Sequence, residues 1–337
     1  MTVRVGINGL GRIGKGILSA WVERNFEGMD IVLVNDKIEA ASFAHLLKYD
    51  SVHGRLHADL RGDNDTLTIG GSKKVALSSE REPDNIPWDQ HGVDVVLECT
   101  GKFTTREKAS LHLKRGVKKV IISAPAKKPD ATIVIGVNDK TYDPQKHHII
   151  SNASCTTNCL APTLKVLQDS FGVESGFMTT VHSYTNDQKI LDKYHPDLRR
   201  ARAGALSMIP TTTGAAKAIG LVMPELAGKL DGMAIRVPTP NVSLIDLVVN
   251  LKKKVTREMV NQAYEEASKG SLVGILNCSH EPLVSVDFNG TWESAHIDML
   301  STTVVGAHLV KVLSWYDNET GFSHRMLDLV LLAAKGW

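Results

Sequence analysis

Apolar residues recur along this chain in two different rhythms, and the change between them divides it. Over roughly the first 150 residues, short apolar runs are separated by stretches with helical spacing. Residues 3–8 predict a first strand, and the run through Ile17, Leu18, Trp21 and Val22 predicts a helix behind it. Residues 31–35, 93–98, 120–122, 133–135 and 149–151 predict further strands, with a helix over 106–115. Alternation of this kind predicts an α/β domain built on a doubly wound parallel sheet. Later the rhythm changes: 178–182, 233–237, 242–249, 296–299 and 309–315 alternate or run apolar and are rich in β-branched residues. Only 211–221 and 257–266 read as helices there, which predicts an α+β domain around a mainly antiparallel sheet. A long polar stretch, 184–207, has no pattern of its own; loops of that length are usually functional or covered by a partner. Met326, Leu327, Val330, Leu331 and Ala334 keep helical spacing and predict a last helix that returns to the first domain. The expected division is 1–154 with 319–337 against 155–318.

Chemistry enters with Gly9-Leu10-Gly11-Arg12-Ile13-Gly14, a GxGxxG between the first strand and the first helix. Gly9 would make the tight turn, Gly11 would admit a pyrophosphate to the backbone, and Gly14 would let helix and strand pack closely. The helix N-terminus then faces the phosphates. The second strand ends at Asp36, whose carboxylate can accept both ribose hydroxyls and would repel a 2′-phosphate, so NAD is favoured over NADP. This is the Rossmann pattern, and its ligands lie beyond the carboxyl ends of the strands. Gly9, Asp36, Thr100, Ser123 and Cys155 would line one crevice.

The strand predicted at 149–151 runs into Asn152-Ala153-Ser154-Cys155-Thr156-Thr157-Asn158. A helix starting at Ser154 or Cys155 puts the thiol where free N–H groups and the macrodipole favour negative charge. An exposed dipole alone does not ionise a cysteine at neutral pH. A second cation or donor is needed, and His182, at the end of another strand-like run, is the candidate. A buried core cysteine is the alternative, and it is the expected role of Cys99, Cys159 and Cys278. No second Cys/His pair has ligand spacing, so no metal is expected. Thr211-Thr212-Thr213-Gly214 is read as opening a helix that offers hydroxyls and N–H groups to a phosphate, or simply as a cap. Arg236, inside an apolar strand, needs either a bound anion or an internal carboxylate.

Length and composition set limits. A chain of 337 residues with 42% hydrophobic and 23% charged residues is an ordinary globular protein of about two domains. Lys plus Arg (39) less Asp plus Glu (37) leaves +2, too balanced for nucleic acid or anionic membrane to be the main partner. Four scattered cysteines suit a reducing cytoplasm. The first residues enter a strand without a signal-peptide pattern, and no apolar run is long enough for a membrane span.

The octapeptide from Ser151 to Asn158 resembles the signature of phosphorylating glyceraldehyde-3-phosphate dehydrogenases. So do Ile7-Asn8-Gly9-Leu10-Gly11-Arg12-Ile13-Gly14, the stretch 210–217, Arg236-Val237-Pro238-Thr239-Pro240-Asn241 and Trp315-Tyr316-Asp317-Asn318-Glu319. The resemblance implies a cytoplasmic homotetramer of glycolysis and gluconeogenesis, acting on glyceraldehyde 3-phosphate, NAD and inorganic phosphate. It implies Cys155 as nucleophile and His182 as its base. The triose phosphate would lie near Thr185, Arg200 and Arg236. Inorganic phosphate would meet Ser154, Thr156, Thr213 and Gly214, with Arg200 between the two anions. Arg12, Ile13, Asp36, Arg81, Ser123 and Asn318 match cofactor contacts, Asn318 at the nicotinamide carboxamide. Thr320, Phe322 and Lys15 depart from the common pattern without touching the thiol chemistry.

Erythrose-4-phosphate dehydrogenase is the nearest rival, and His195-Pro196-Asp197-Leu198-Arg199-Arg200 also looks like that enzyme. Thr211-Thr212-Thr213-Gly214 and Tyr184-Thr185-Asn186-Asp187-Gln188 favour the triose enzyme. Asp36 opposes an NADP-linked semialdehyde dehydrogenase. A nucleotide- or RNA-binding module without catalysis is opposed by the neutral charge and the complete Cys/His pair.

Overall fold

The computed structural model describes residues 2–24 and 26–335. The chain forms two compact units and passes between them at Ser154/Cys155 and at Phe322/Ser323, with Gly136–Asn138 also belonging to the second.

The first unit contains β1 (Val3–Asn8), α1 (Arg12–Arg24), β2 (Met29–Asn35), α2 (Ala40–Lys48) and a small hairpin of β3 (Tyr49–Asp50) and β4 (Gly54–Arg55). Then come β5 (Leu60–Asp63), β6 (Thr66–Ile69), β7 (Lys73–Ser78), β8 (Val95–Glu98), α3 (Arg106–Ala109), β9 (Lys119–Ile122), β10 (Ala131–Thr132) and β11 (Ile149–Ser151). Nine strands form one sheet in the order β10-β11-β9-β8-β1-β2-β7-β6-β5, parallel except at β5 and β6. The chain leaves β1 toward β2 and later returns to β8 on its other side, so β1 and β8 flank the topological switch point where such sheets take ligands. Two expectations shift. The strand expected at 133–135 is the two-residue β10, and the helix expected over 106–115 is α helical only to Ala109, continuing as a 3-10 turn over Ser110–Arg115. Gly116, at φ 77°, closes that turn.

The second unit opens with α4 (Cys155–Phe171) and continues through β12 (Val173–Ser183), β13 (Ile209–Thr212), α5 (Ala215–Val222), β14 (Leu230–Val237) and β15 (Ser243–Leu251). α6 (Arg257–Lys269), β16 (Leu276–Ser279), β17 (Ala295–Asp298), β18 (Thr303–Val305) and β19 (Leu309–Tyr316) complete it, and α7 (Thr320–Ala333) carries the chain back into the first unit. The sheet order is β13-β14-β12-β15-β19-β17-β16, with β18 on β19, and only β12/β14 and β16/β17 are parallel. Along β15, Ser243, Ile245, Leu247, Val249 and Leu251 are buried at every second position, and α4 packs against this sheet with Leu160, Leu164 and Leu167 fully buried. The helix expected over 211–221 is corrected: Thr211 and Thr212 extend β13 against β14, and the helix begins at Ala215. β-Branched side chains fit a pleated sheet better than a helical first turn, and Thr211 is held by polar partners in that extended form. Residues 184–207 form no helix or strand, only an isolated bridge between Lys189 and Ala203.

Candidate active site

Three residues after β11 the chain starts α4, and the first helical residue is Cys155. The turn between them passes through Ala153 at φ 55°, a left-handed conformation few side chains adopt, and Ser151 Oγ accepts the Ala153 N–H at 3.1 Å. Cys155 Sγ lies 3.6 Å from His182 Nε2, at the end of β12. Burial pushes the Cys155 thiol up; the Arg236 charge, the Thr156 hydroxyl and the Thr156 N–H pull it back down. His182 is 4% exposed, and burial first, then the neighbouring Arg236 charge, lower it to about 3. The imidazole is therefore neutral in the free protein. The cation acting on the sulfur is Arg236; the sequence offered His182 for that place as a cation or a hydrogen-bond donor.

Arg236 reaches the histidine because β12 and β14 run parallel with His182 opposite Arg236. Its Nη1 donates toward His182 Nδ1 at 2.7 Å and toward the Ser183 carbonyl at 3.0 Å, while that carbonyl lies 2.7 Å from Nδ1. Nδ1 can accept from Arg236 or donate to Ser183, not both at once. Arg236 Nε is buried and has no hydrogen-bond partner among the described residues.

Behind the sulfur runs a chain of hydroxyls. Tyr316 Oη lies 3.0 Å from Thr156 Oγ1 and 2.8 Å from Thr180 Oγ1, all buried, and the Tyr316 ring meets His182 edge to face. Thr156, expected at a phosphate, thus has its hydroxyl between Tyr316 and the thiol. Sequence reasoning missed Tyr316 and Thr180. The usable signal was a tyrosine at an inward position of a strand, because a buried phenol needs a partner.

Around this centre, Arg200 donates to Asp187 at 2.7 Å, to Thr211 Oγ1 at 2.8 Å and to the Thr212 carbonyl at 3.2 Å. The Thr185 N–H donates to Gln188 Oε1 at 2.9 Å. Thr213 Oγ1 accepts from the Ala215 N–H, and Gly214 caps α5 beside open space. Asn318 Oδ1 accepts from Ser183 Oγ and Ser243 Oγ, each at 2.8 Å. Its amide nitrogen makes no hydrogen bond among the described residues.

In the first unit, Gly9 adopts φ +97°, and a Cβ there would meet Thr100 N at 2.8 Å; one on Gly14 would lie 2.0 Å from the Gly9 carbonyl oxygen. A Cβ on Gly11 would meet nothing, so this position lies open to a ligand, as a pyrophosphate cradle requires. Asp36 Oδ2 accepts the Leu10 N–H at 2.6 Å and so braces the loop. Arg12 and Ile13 begin α1, with Arg12 bidentate to Asp50. Arg81 lines a cavity of about 750 Å³ with Lys37, Ser78 and Pro87. Ser123 follows β9, its N–H on the Glu98 carbonyl at 3.0 Å. Ser154, half-buried, is the last residue of this unit before the chain crosses into α4.

Two family profiles match: the NAD binding domain of glyceraldehyde 3-phosphate dehydrogenase over residues 3–106 and the C-terminal domain of the same enzyme over 154–318. A glyceraldehyde-3-phosphate dehydrogenase from Geobacillus stearothermophilus is 59% identical over the full length of both chains. The chain belongs to the glyceraldehyde-3-phosphate dehydrogenase family. Relatives of the same name from Priestia megaterium, 57% identical over all of both chains, and Bacillus subtilis, 57% over 99% of each, agree. As a member of this dehydrogenase family the chain is an NAD-linked oxidoreductase, with a Rossmann-like domain and a mainly antiparallel partner domain. Among the described residues no group of acidic, histidine or cysteine side chains has the geometry of a metal site.

Proposed function

We propose that this chain oxidises glyceraldehyde 3-phosphate to 1,3-bisphosphoglycerate with NAD and inorganic phosphate, with Cys155 as nucleophile and His182 as base. One observation carries the reading: a thiol on the first turn of α4 lies 3.6 Å from the histidine ring nitrogen. The substrate phosphate sits on Arg236, whose buried Nε has no other partner among the described residues, with Thr185 and Arg200 beside it. Engaging that guanidinium leaves His182 Nδ1–H to the Ser183 carbonyl and turns the Nε2 lone pair toward the thiol. Cys155 then loses its proton to His182 as sulfur adds to the aldehyde, and a backbone N–H at the start of α4 stabilises the oxygen of the hemithioacetal. The imidazolium returns that proton to the hemithioacetal oxygen, and the neutral His182 takes it back as the carbon is oxidised. NAD, when bound, accepts the hydride. The thioester on Cys155 keeps the oxidation energy until phosphate, held by Ser154, Thr156, Thr213 and Gly214, attacks the acyl carbon and releases the thiol with an acyl phosphate.

Residues 1–154 and 319–337 would hold NAD through Gly9, Gly11, Arg12, Ile13, Gly14, Asp36, Arg81 and Ser123, and 155–318 would carry catalysis and assembly and add Asn318 to the cofactor contacts. A homotetramer is supported by the 184–208 stretch, where Ile190 is 90% exposed and Leu191, Tyr194, Leu198, Leu206 and Met208 are exposed too, more apolar surface than a solvated loop needs. A cytoplasmic setting is supported by four free cysteines and, among the described residues, by no helix long and apolar enough to cross a membrane. Comparing kcat/KM for glyceraldehyde 3-phosphate and erythrose 4-phosphate, each with and without phosphate, tests the reading. Phosphate-dependent turnover of the triose supports it; preference for the tetrose without phosphate dependence overturns it.

A further inference from the structure

A buried chain of side chains in the first unit takes no part in the chemistry above, and every direction in it is fixed. Glu98, at the end of β8, is 1% exposed. At one end the Glu80 N–H, which can only donate, bonds Asn35 Oδ1 at 2.8 Å, and Asn35 Nδ2 bonds the Glu80 carbonyl, which can only accept, at 3.0 Å. The Asn35 amide is thereby oriented, and its Nδ2 also donates to Asn8 Oδ1 at 2.8 Å. That orients Asn8, whose Nδ2 donates to Glu98 Oε2 at 2.7 Å. At the other end the Trp88 indole, donor only, bonds His112 Nδ1 at 3.1 Å, so the proton of a neutral His112 sits on Nε2 and points at Glu98 Oε2, also at 3.1 Å. The Thr100 N–H donates to Oε1 at 2.8 Å, and the Thr100 hydroxyl bonds the same oxygen. The Asn8 amide, the His112 N–H and the Thr100 N–H each require Glu98 to accept, and the Thr100 hydroxyl can donate to it as well. A carboxylate satisfies all of them, and an amide satisfies no arrangement of them: its NH2 would face either the Thr100 N–H or the donors of Asn8 and His112.

The places this chain touches are telling. Asn8 directly precedes Gly9, Asn35 precedes Asp36, Glu80 precedes Arg81, and Ser78, bonded to Asn35 Oδ1 at 2.9 Å, lines the cavity beside Arg81. We propose that Glu98 is a positioning residue for the dinucleotide, holding the ends of β1, β2, β7 and β8 in the one register that presents Gly9, Asp36, Arg81 and Thr100 together. It touches no ligand and acts through the backbone it fixes. The proposal rests on the reading that this unit takes NAD.

The test is the Kd for NAD, read from quenching of protein fluorescence, together with kcat at saturating NAD and the rate at which iodoacetamide alkylates Cys155. Glu98→Gln is expected to raise the Kd about tenfold, the scale of a mismatched buried charged hydrogen bond. kcat and alkylation stay near wild type. Adding Asn8→Asp recovers part of the affinity, because a carboxylate at position 8 accepts both from the new amide and from Asn35 while the His112 N–H stays opposed to that amide. Ser78→Ala, at the accessible end and safe for folding, raises the Kd about threefold. An unchanged Kd in Glu98→Gln overturns the proposal, as does an unchanged Kd in Ser78→Ala if the first variant is unstable. Loss of affinity, kcat and alkylation together, without recovery in the double variant, also overturns it and marks a purely structural group. A wild-type chain that does not bind NAD overturns the underlying reading instead.

Discussion

Replacing His182 with asparagine isolates what the imidazole does for the sulfur. In the ion-paired form a thiolate and an imidazolium face each other at 3.6 Å. At an effective dielectric constant of about 20, their attraction is about 332/(20 × 3.6), or roughly 4.6 kcal/mol. Against it stands the environment of the ring. Holding His182 near 3 instead of 6.5 disfavours the imidazolium by about 5 kcal/mol at 1.36 kcal/mol per pH unit. The two nearly cancel, so the histidine contributes little at rest and more once a substrate phosphate neutralises Arg236 and lifts the smaller, electrostatic part of the penalty. Asparagine offers the thiol neither a proton acceptor nor a counter-charge. The expected loss in kcat for His182→Asn is about 10³, inside the 10²–10⁴ usual for a general base. Because burial raises the Cys155 thiol, its alkylation by iodoacetamide in the variant should be slow at pH 7 and climb about tenfold per pH unit, as thiolate fraction does below the pKa, to beyond pH 9. Stopped-flow turnover and alkylation against pH measure both quantities. A variant that keeps a tenth of wild-type kcat would refute the assignment of His182 as base.

Three further outcomes are expected. Asp36→Ala removes the acceptor of the Leu10 N–H and the group opposing a 2′-phosphate, so KM for NAD should rise about tenfold while NADP becomes a measurable substrate; initial rates with both cofactors decide it. Gly14→Ala drives a methyl group to 2.0 Å from the Gly9 carbonyl oxygen, and since backbone must move, calorimetry should find little or no NAD binding. Tyr316→Phe leaves the buried Thr156 and Thr180 hydroxyls short of a partner, and urea denaturation should give a loss of about 1–3 kcal/mol.

What the sequence disclosed and what it withheld follow from the range of the interactions. The glycine loop, Asp36 and the start of α4 were legible because each depends on neighbours within a few positions: a turn, a strand end, a helix cap. The arrangement of β13 and α5 was misread because Thr211-Thr212-Thr213-Gly214 is equally good as a cap, and strand pairing with β14 decides against it. Arg236 could be read as a buried cation in need of an anion, but its position against His182 follows from the register of two strands 54 residues apart, which local patterns do not encode. The same holds for Tyr316, which meets Thr156 across 160 positions. Charge was not legible either. By type His182 could be a cation or a donor near the thiol, and its burial beside an arginine is what makes it neutral.

The crossing at Ser154/Cys155 puts the sulfur, the imidazole, the guanidinium and the hydroxyl chain behind them all in one compact unit. The spacing among these groups is therefore set by the helix and sheet of that unit alone. The same seam marks where a recombinant chimera should be cut. Joined there, a foreign nucleotide-binding module would inherit the thiol, imidazole, guanidinium and hydroxyls as one set and would have to supply the electron acceptor and a residue in the place of Ser154.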